Sequence, residues 1–265
     1  MLHLSYDGTK YHGWQRQLKV KTVQETLEHY LSEVLKQDIR LIGCGRTDAG
    51  VHATQYFAHF DIEGAHHVDF LFRINKRLPG DIAIHGCHEV ELNSHARFDV
   101  LSRSYSYFVH LHKTPSLSMY SGLYPHEIKY EDRMVRAIRM LLMYNEYRAY
   151  CRRPDKMNTT ICHFSDARLY TYASSDRWRF DFTANRFLTG MIRLLVGELL
   201  AIGQGLVSLD SFAHHLSTGD TLEKHRAVDP QGLHLTRVVL PYLNIKPISA
   251  PFDIDAQING WVEMH

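Results

Sequence analysis

The stretch Gly43-Cys44-Gly45-Arg46-Thr47-Asp48-Ala49-Gly50-Val51-His52-Ala53 sets three glycines around one cation and one carboxylate. Glycines there permit unusual backbone angles and let another segment approach closely. The block leaves a predicted strand, Ile39 to Cys44, and runs toward another in which Tyr56, Ala58, Phe60 and Ile62 alternate. By composition it reads as a tight turn, with Asp48 bonded to local amides and Arg46 paired with a surface acid. A nucleotide-phosphate loop fits less well, because the G-x-x-x-x-G-K-[ST] pattern and its lysine are missing.

Working outward, Leu2, Leu4 and Tyr6 form one face of a strand, followed by a turn-rich stretch with Gly8, Gly13 and Trp14. Thr22-Val23-Gln24-Glu25 has the form of a capping box, and Val23, Leu27, Leu31, Val34 and Leu35 continue it as an apolar helical stripe. A short helix from about Val68 ends before Pro79, and a strand resumes near Ile82. Farther on, Tyr105, Tyr107, Val109 and Leu111 share a strand face, and Met134, Ile138, Leu141 and Leu142 make a helical stripe. The polar, basic loop Arg152 to Thr160 leads to a strand around Ile161 to Leu169. After the turn Ser174-Ser175-Asp176, Trp178, Phe180 and Phe182 alternate. A longer helix from about Leu188 stops near Gly203, Ser208 to Ser217 reads as helix, and Leu233 to Leu240 as the last strand. This mixture predicts an α+β fold with a mostly antiparallel sheet, in two halves, 1–102 and 103–265, with no Pro-, Gly- or Ser-rich linker between them.

With 265 residues, 45% of them hydrophobic and 22% charged, the chain has the composition of a folded globular protein, which excludes collagen-like and disordered classes. Thirty Lys and Arg against 29 Asp and Glu leave a charge of +1, so a polyanionic partner has to be held by local patches. The apolar runs are too short to span a bilayer and the first residues read as strand, so no membrane and no secretory signal is expected. Cys44, Cys87, Cys151 and Cys162 lack any C-x-x-C pair, which argues against zinc and disulfides and for a cytoplasmic protein.

The run GRTDAGVHA at Gly45 to Ala53, with YDGTKYHGWQRQ at Tyr6 to Gln17, resembles the TruA family of tRNA pseudouridine synthases. VQETLE at Val23 to Glu28, HARF at His95 to Phe98 with RSYSY after it, and NRFLTGMIRLLVG at Asn185 to Gly197 extend the likeness over nearly the whole chain. The resemblance implies the pseudouridine synthase fold, with two related halves sharing an extended sheet around a catalytic cleft, and a homodimer. It implies an enzyme that isomerises uridine in the tRNA anticodon stem-loop without cofactor or metal. The bond from N1 to the ribose breaks, the uracil turns, and C5 rejoins the sugar.

The same resemblance makes Asp48 the catalytic carboxylate, acting either by attack at C1′ or by removal of a sugar proton. Tyr105 is expected to stack on the displaced uracil and Arg193 to pair with Asp48. Without the resemblance, Tyr105 would be read as a core aromatic like Tyr107, and Arg193 as an exposed helix residue. Physics makes these roles reasonable, because a base inside a stem presents its glycosidic bond to no side chain and has to be unstacked first. Arg46 could fill the gap or hold a phosphate, since a guanidinium does both. An arginine beside a carboxylate keeps it ionised. Candidate phosphate contacts are Lys10, Arg16, Lys19, Lys21, Arg97, Arg103, Arg148, Arg152, Arg153, Lys156 and Arg186. A non-catalytic RNA-binding module would not need an ionised carboxylate facing an anionic partner. A glycosidase-like enzyme would want a second carboxylate, and none accompanies Asp48 in its block.

Overall fold

The alternation of Leu2, Leu4 and Tyr6 becomes strand β1 (Leu2–Tyr6), with all three side chains buried. The computed structural model describes residues 1–64, 69–172, 176–247 and 260–265. In chain order the first elements after β1 are α1 (Val23–Leu35), β2 (Ile42–Gly43), β3 (His52–His59), α2 (Phe70–Arg77), β4 (Ile82–Cys87), β5 (Ser102–His110) and β6 (Gly122–Leu123). They are followed by α3 (Glu131–Met140), β7 (Phe164–Tyr172), β8 (Arg177–Ala184), α4 (Met191–Gln204), α5 (Leu209–Thr218), β9 (Leu233–Val239) and β10 (Trp261–Glu263). The described residues of Met1–Leu101 and His234–Ala250 form one unit, and those of Ser102–Leu233 and Pro251–His265 a second. A cut after residue 102 would leave β9 with the second half. It joins the first because it pairs in parallel with β3, His52 opposite His234 and Ala53 opposite Leu235.

In the first unit β1 lies between β3 and β4, antiparallel to both, and β2 pairs antiparallel with β3 through Ile42–His59 and Gly43–Ala58. Helix α1 starts where Thr22 Oγ1 accepts the Glu25 N–H at 3.4 Å, and it buries Val23, Leu27 and Leu31. The strand expected from Ile39 shrinks to β2 for a specific reason. The Ile39 N–H donates to Ser32 Oγ and the Leu41 N–H to Glu28 Oε1, each at 2.9 Å, so α1 side chains take the donors a strand would offer its neighbour. The start expected for α2 at Val68 lies outside the described residues.

In the second unit β5 pairs with β8 from Arg103–Ala184 to His110–Arg177, β8 with β7 and β7 with β10, all antiparallel; β6 adds to β5 in parallel. Each unit is thus α+β with mostly antiparallel strands, as expected. Helix α4 is buried nearly all round, including Glu198, which pairs with Arg226 at 3.1 Å. It runs past Gly203 to Gln204, because Gly203 is a packing position where a Cβ would meet Met134 Sδ of α3 at 2.5 Å. In the predicted Ser174-Ser175-Asp176 turn, Ser174 and Ser175 lie outside the described residues. Strands β6 and β10 are too short to show alternation and were not expected. Among the described residues, no helix is long and apolar enough to cross a membrane.

Candidate active site

Between β2 and β3 the chain makes the loop that holds Arg46 and Asp48, and two of its backbone groups are tied to the segment after β1. Trp14 N–H donates to Thr47 O at 3.3 Å, and Gly50 N–H donates to Tyr11 O at 3.2 Å. Tyr56 Oη donates to Gly45 O, and its ring stacks on Trp14 at 4.0 Å. Thr47 is buried, its Oγ1 2.8 Å from Tyr6 Oη. Val51 N–H closes a turn onto Asp48 O at 3.2 Å, with Gly50 at φ +77° as the third residue, a value that favours glycine. Two close approaches complete the interlock. A Cβ at Gly8 would lie 2.0 Å from Val51 O, and one at Gly13, which has φ +82°, would lie 2.3 Å from Thr47 O.

With Thr47 anchored inward, its two neighbours lie nearer the surface: Arg46 is exposed and Asp48 half-buried. Behind them, His52 Nδ1 lies 3.1 Å from Asp7 Oδ1 and 3.2 Å from the Gly8 nitrogen. One nitrogen cannot donate to the carboxylate and accept from the amide, so these contacts compete. Burial raises the Asp7 carboxyl, but hydrogen bonds from His52 and from the Thr9 hydroxyl and amide outweigh it and hold Asp7 well below the usual carboxylate range. His52 also stacks on His234 of β9 at 4.6 Å.

From the other side, α1 grips the chain just before the loop. Glu28 Oε1 accepts the Leu41 N–H, while Gln24 Nε2 donates to Leu41 O at 3.0 Å, so one peptide residue is held at both of its polar groups. Arg16 neutralises Glu28 at 2.6 Å. Sequence reasoning missed Asp7, His52, Gln24 and Glu28. Their signal was present: Gln24 and Glu28 stand four apart on α1, adjoining Val23 and Leu27 of its apolar stripe.

The second unit holds the other two expected residues. Tyr105 on β5 is buried, opposite Phe182 of β8, with its ring edge-on to Phe187 at 5.2 Å. Tyr107, two residues on, commits its hydroxyl to Asp229 O at 2.8 Å, and burial pushes that phenol far above its ordinary pKa. Arg193 sits in the first turn of α4, half-buried, and donates from Nε to Val228 O at 2.7 Å. It is therefore more fixed than an ordinary exposed helix residue. Of the basic flank, Arg152 crosses the start of α4, where its Cδ is 2.8 Å from the Cβ position of Gly190; Arg148 pairs with Asp155. Arg103 donates to Asn185 O at 3.3 Å. Among the described residues, no group of three or more His, Cys, Asp and Glu side chains could hold a metal ion.

A family model described as tRNA pseudouridine synthase matches residues 3–99 and 137–241. A Bacteroides thetaiotaomicron protein named tRNA pseudouridine synthase A is 37% identical over 242 residues, covering 91% of this chain and 90% of that protein. Proteins of the same name from Porphyromonas gingivalis and Klebsiella pneumoniae (strain 342) are 34% and 33% identical, each over 91% of this chain, and are themselves covered to 96% and 89%.

Proposed function

Because this chain belongs to the tRNA pseudouridine synthase family, and so is an isomerase acting on tRNA, we propose that Asp48 is its catalytic carboxylate and that the target uridine lies in the anticodon stem-loop. The observation that supports this most is the interlock of residues 45–51 with the Tyr6–Trp14 segment, which fixes the backbone on both sides of Asp48 while Arg46 and Asp48 flank the anchored Thr47. Fixing a charged group before substrate arrives means that binding energy is not spent on ordering it.

The reaction conserves all atoms of the uridine apart from exchangeable protons. The N1–C1′ bond breaks, the C5–C1′ bond forms, the proton on C5 leaves to solvent and N1 ends with a proton. In this reading Asp48 either attacks C1′ or takes a sugar proton. Arg46 fills the gap left by the extruded base or holds a phosphate, Tyr105 stacks on the freed uracil, and Arg193 is the counter-charge that pairs with Asp48. A homodimer in the cytoplasm completes the proposal, and light scattering at micromolar concentration tests its first part.

The deciding experiment is Asp48→Asn, which keeps size and local hydrogen bonds but removes the charge and the ability to act as nucleophile or base. Tritium release from 5-tritiated uridine in tRNA should vanish, while tRNA binding and melting temperature stay close to wild type. Arg193→Met should lower the same rate with the fold retained. A turn role for Asp48 would give the opposite pattern, a modest loss of stability with catalysis intact. Release of free uracil would point to base cleavage instead.

A further inference from the structure

In the first unit, beside the loop just described, a cavity of about 140 Å³ is lined by Trp14, Gln15, Gln24, Arg46, Arg97 and the chain around Gly43. Its floor has a polarity that can be deduced group by group. Glu28 is a carboxylate paired with Arg16, so its Oε1 only accepts, and Gln24 must point its Nε2 at it, at 3.0 Å. The second hydrogen of that Nε2 goes to Leu41 O. Gln24 Oε1 then accepts twice, from the Arg16 N–H at 3.0 Å and from Gln15 Nε2 at 2.9 Å. All four hydrogen-bonding positions of Gln24 are filled, so its amide cannot flip, and the orientation of the Gln15 amide follows from it.

Gln15 is therefore left with its Oε1 acceptor and one N–H donor side by side, in a fixed sense, at a half-buried position on the cavity wall. A carboxamide so presented is complementary to a donor–acceptor pair on a nucleobase edge. Two exposed guanidinium groups, Arg46 and Arg97, stand on the same wall, suited to phosphate or to stacking on a base plane. Next to Arg97, Phe98 is 76% exposed, with its ring stacked on His95 at 4.2 Å and Arg97 6.0 Å above it. Glu28, the carboxylate that accepts from Gln24, is neutralised by Arg16 and has a side chain only 4% exposed, so it does not repel an anion.

We propose that this cavity receives one nucleotide of the tRNA immediately next to the target uridine, and that Gln15 reads the edge of its base while Arg46 and Arg97 hold its phosphate. The placement follows from Arg46, which is both a wall of the cavity and two residues from Asp48. It rests on the reading of the loop as the site of uridine isomerisation. Gln15 is thereby a substrate-positioning residue outside the GRTDAG block.

The test uses stem-loop RNAs carrying 5-tritiated uridine at the target, with the 5′ or the 3′ neighbour replaced by an abasic nucleotide, turned over by wild-type enzyme and by Gln15→Met. With one good donor–acceptor pair at stake, wild type should lose about tenfold or more in kcat/KM at one of the two abasic positions. Gln15→Met should lose a similar factor on intact RNA, and almost nothing further on that same abasic RNA. Losses that multiply at both positions would overturn the proposal. The wild-type arm needs no variant to fold, and equal rates on intact and both abasic RNAs would overturn it as well. Wild-type enzyme that releases no tritium even from intact RNA would instead refute the functional reading on which the proposal rests.

Discussion

Gly13→Ala tests whether the crossing of the Tyr6–Trp14 segment over the loop sets the geometry of Asp48. Two costs add in the folded state. Alanine at φ +82° is held in the left-handed region, at roughly 1–2 kcal/mol. Its Cβ would also stand 2.3 Å from Thr47 O, so that carbonyl has to retreat by about 1 Å to reach ordinary contact distance. Thr47 O belongs to the residue directly before Asp48, and it is also the acceptor for the Trp14 N–H, so the retreat is passed to the carboxylate and weakens a loop clamp. A misplacement of about 1 Å at a reacting group costs on the order of a hundredfold in rate. The expected result is therefore a hundredfold lower rate of tritium release, with a melting temperature lower by about 2–4 °C for each kcal/mol lost. Gly80→Ala serves as the control, since Gly80 is exposed, has no positive φ and its Cβ would meet nothing within 4 Å. Both variants are measured for tRNA binding, melting and turnover in one preparation. Wild-type turnover by a Gly13→Ala enzyme that is measurably destabilised would refute the reasoning, because it would separate the crossing from the catalytic geometry.

Two further outcomes are expected. Tyr105→Leu should impair turnover of bound tRNA more than tRNA affinity, and Tyr105→Phe should retain most of both, since base–aromatic stacking is worth roughly 1–3 kcal/mol; single-turnover rates and binding curves separate the two effects. His3 is buried against Phe57, and burial, with His85 and His88 nearby, lowers its pKa to about 4. Because the unfolded chain binds this proton below about 6.5 and the folded protein does not until about 4, stability should fall with pH across that window, by up to about 1.4 kcal/mol per unit for this group. His3→Leu should give a shallower slope there in urea melts, and an unchanged slope would show that His3 is not among the titrating groups.

Much of the architecture was legible because its signals are local. Alternating Tyr105, Tyr107 and Val109, the capping box at Thr22 and the apolar faces of α1 and α4 depend only on residues a few positions apart. What escaped is set by partners distant in sequence. The segment after Ile39 has the composition of a strand, yet Ser32 and Glu28 capture its donors, and side-chain periodicity carries no record of where a backbone N–H is spent. The pairing of β9 with β3 joins residues at opposite ends of the chain, and no composition signal announces it. In the candidate site, the role proposed for Asp48 was legible only through the GRTDAG motif. The glutamines beside it read as ordinary polar positions until their hydrogen bonds were traced.

That motif and the YDGTKYHGWQRQ run belong together for a physical reason. A loop between strands, such as the one that carries Asp48, cannot borrow rigidity from a sheet ladder, so its backbone groups need other partners. Gly45 O, Thr47 O, Asp48 O and Gly50 N–H have them, in Tyr56, Trp14, Val51 and Tyr11. Two of these four partners come from the segment after β1, and Tyr56, which holds a third, is itself stacked on Trp14. The approach is close enough that Gly8 and Gly13 each lack room for a methyl group. Each run is thus the mould of the other, and a substitution in either should be felt first at Asp48. Such a loop is ordered before any RNA arrives, so under the proposed role of Asp48 the free energy of binding can go to extruding the base rather than to arranging the carboxylate.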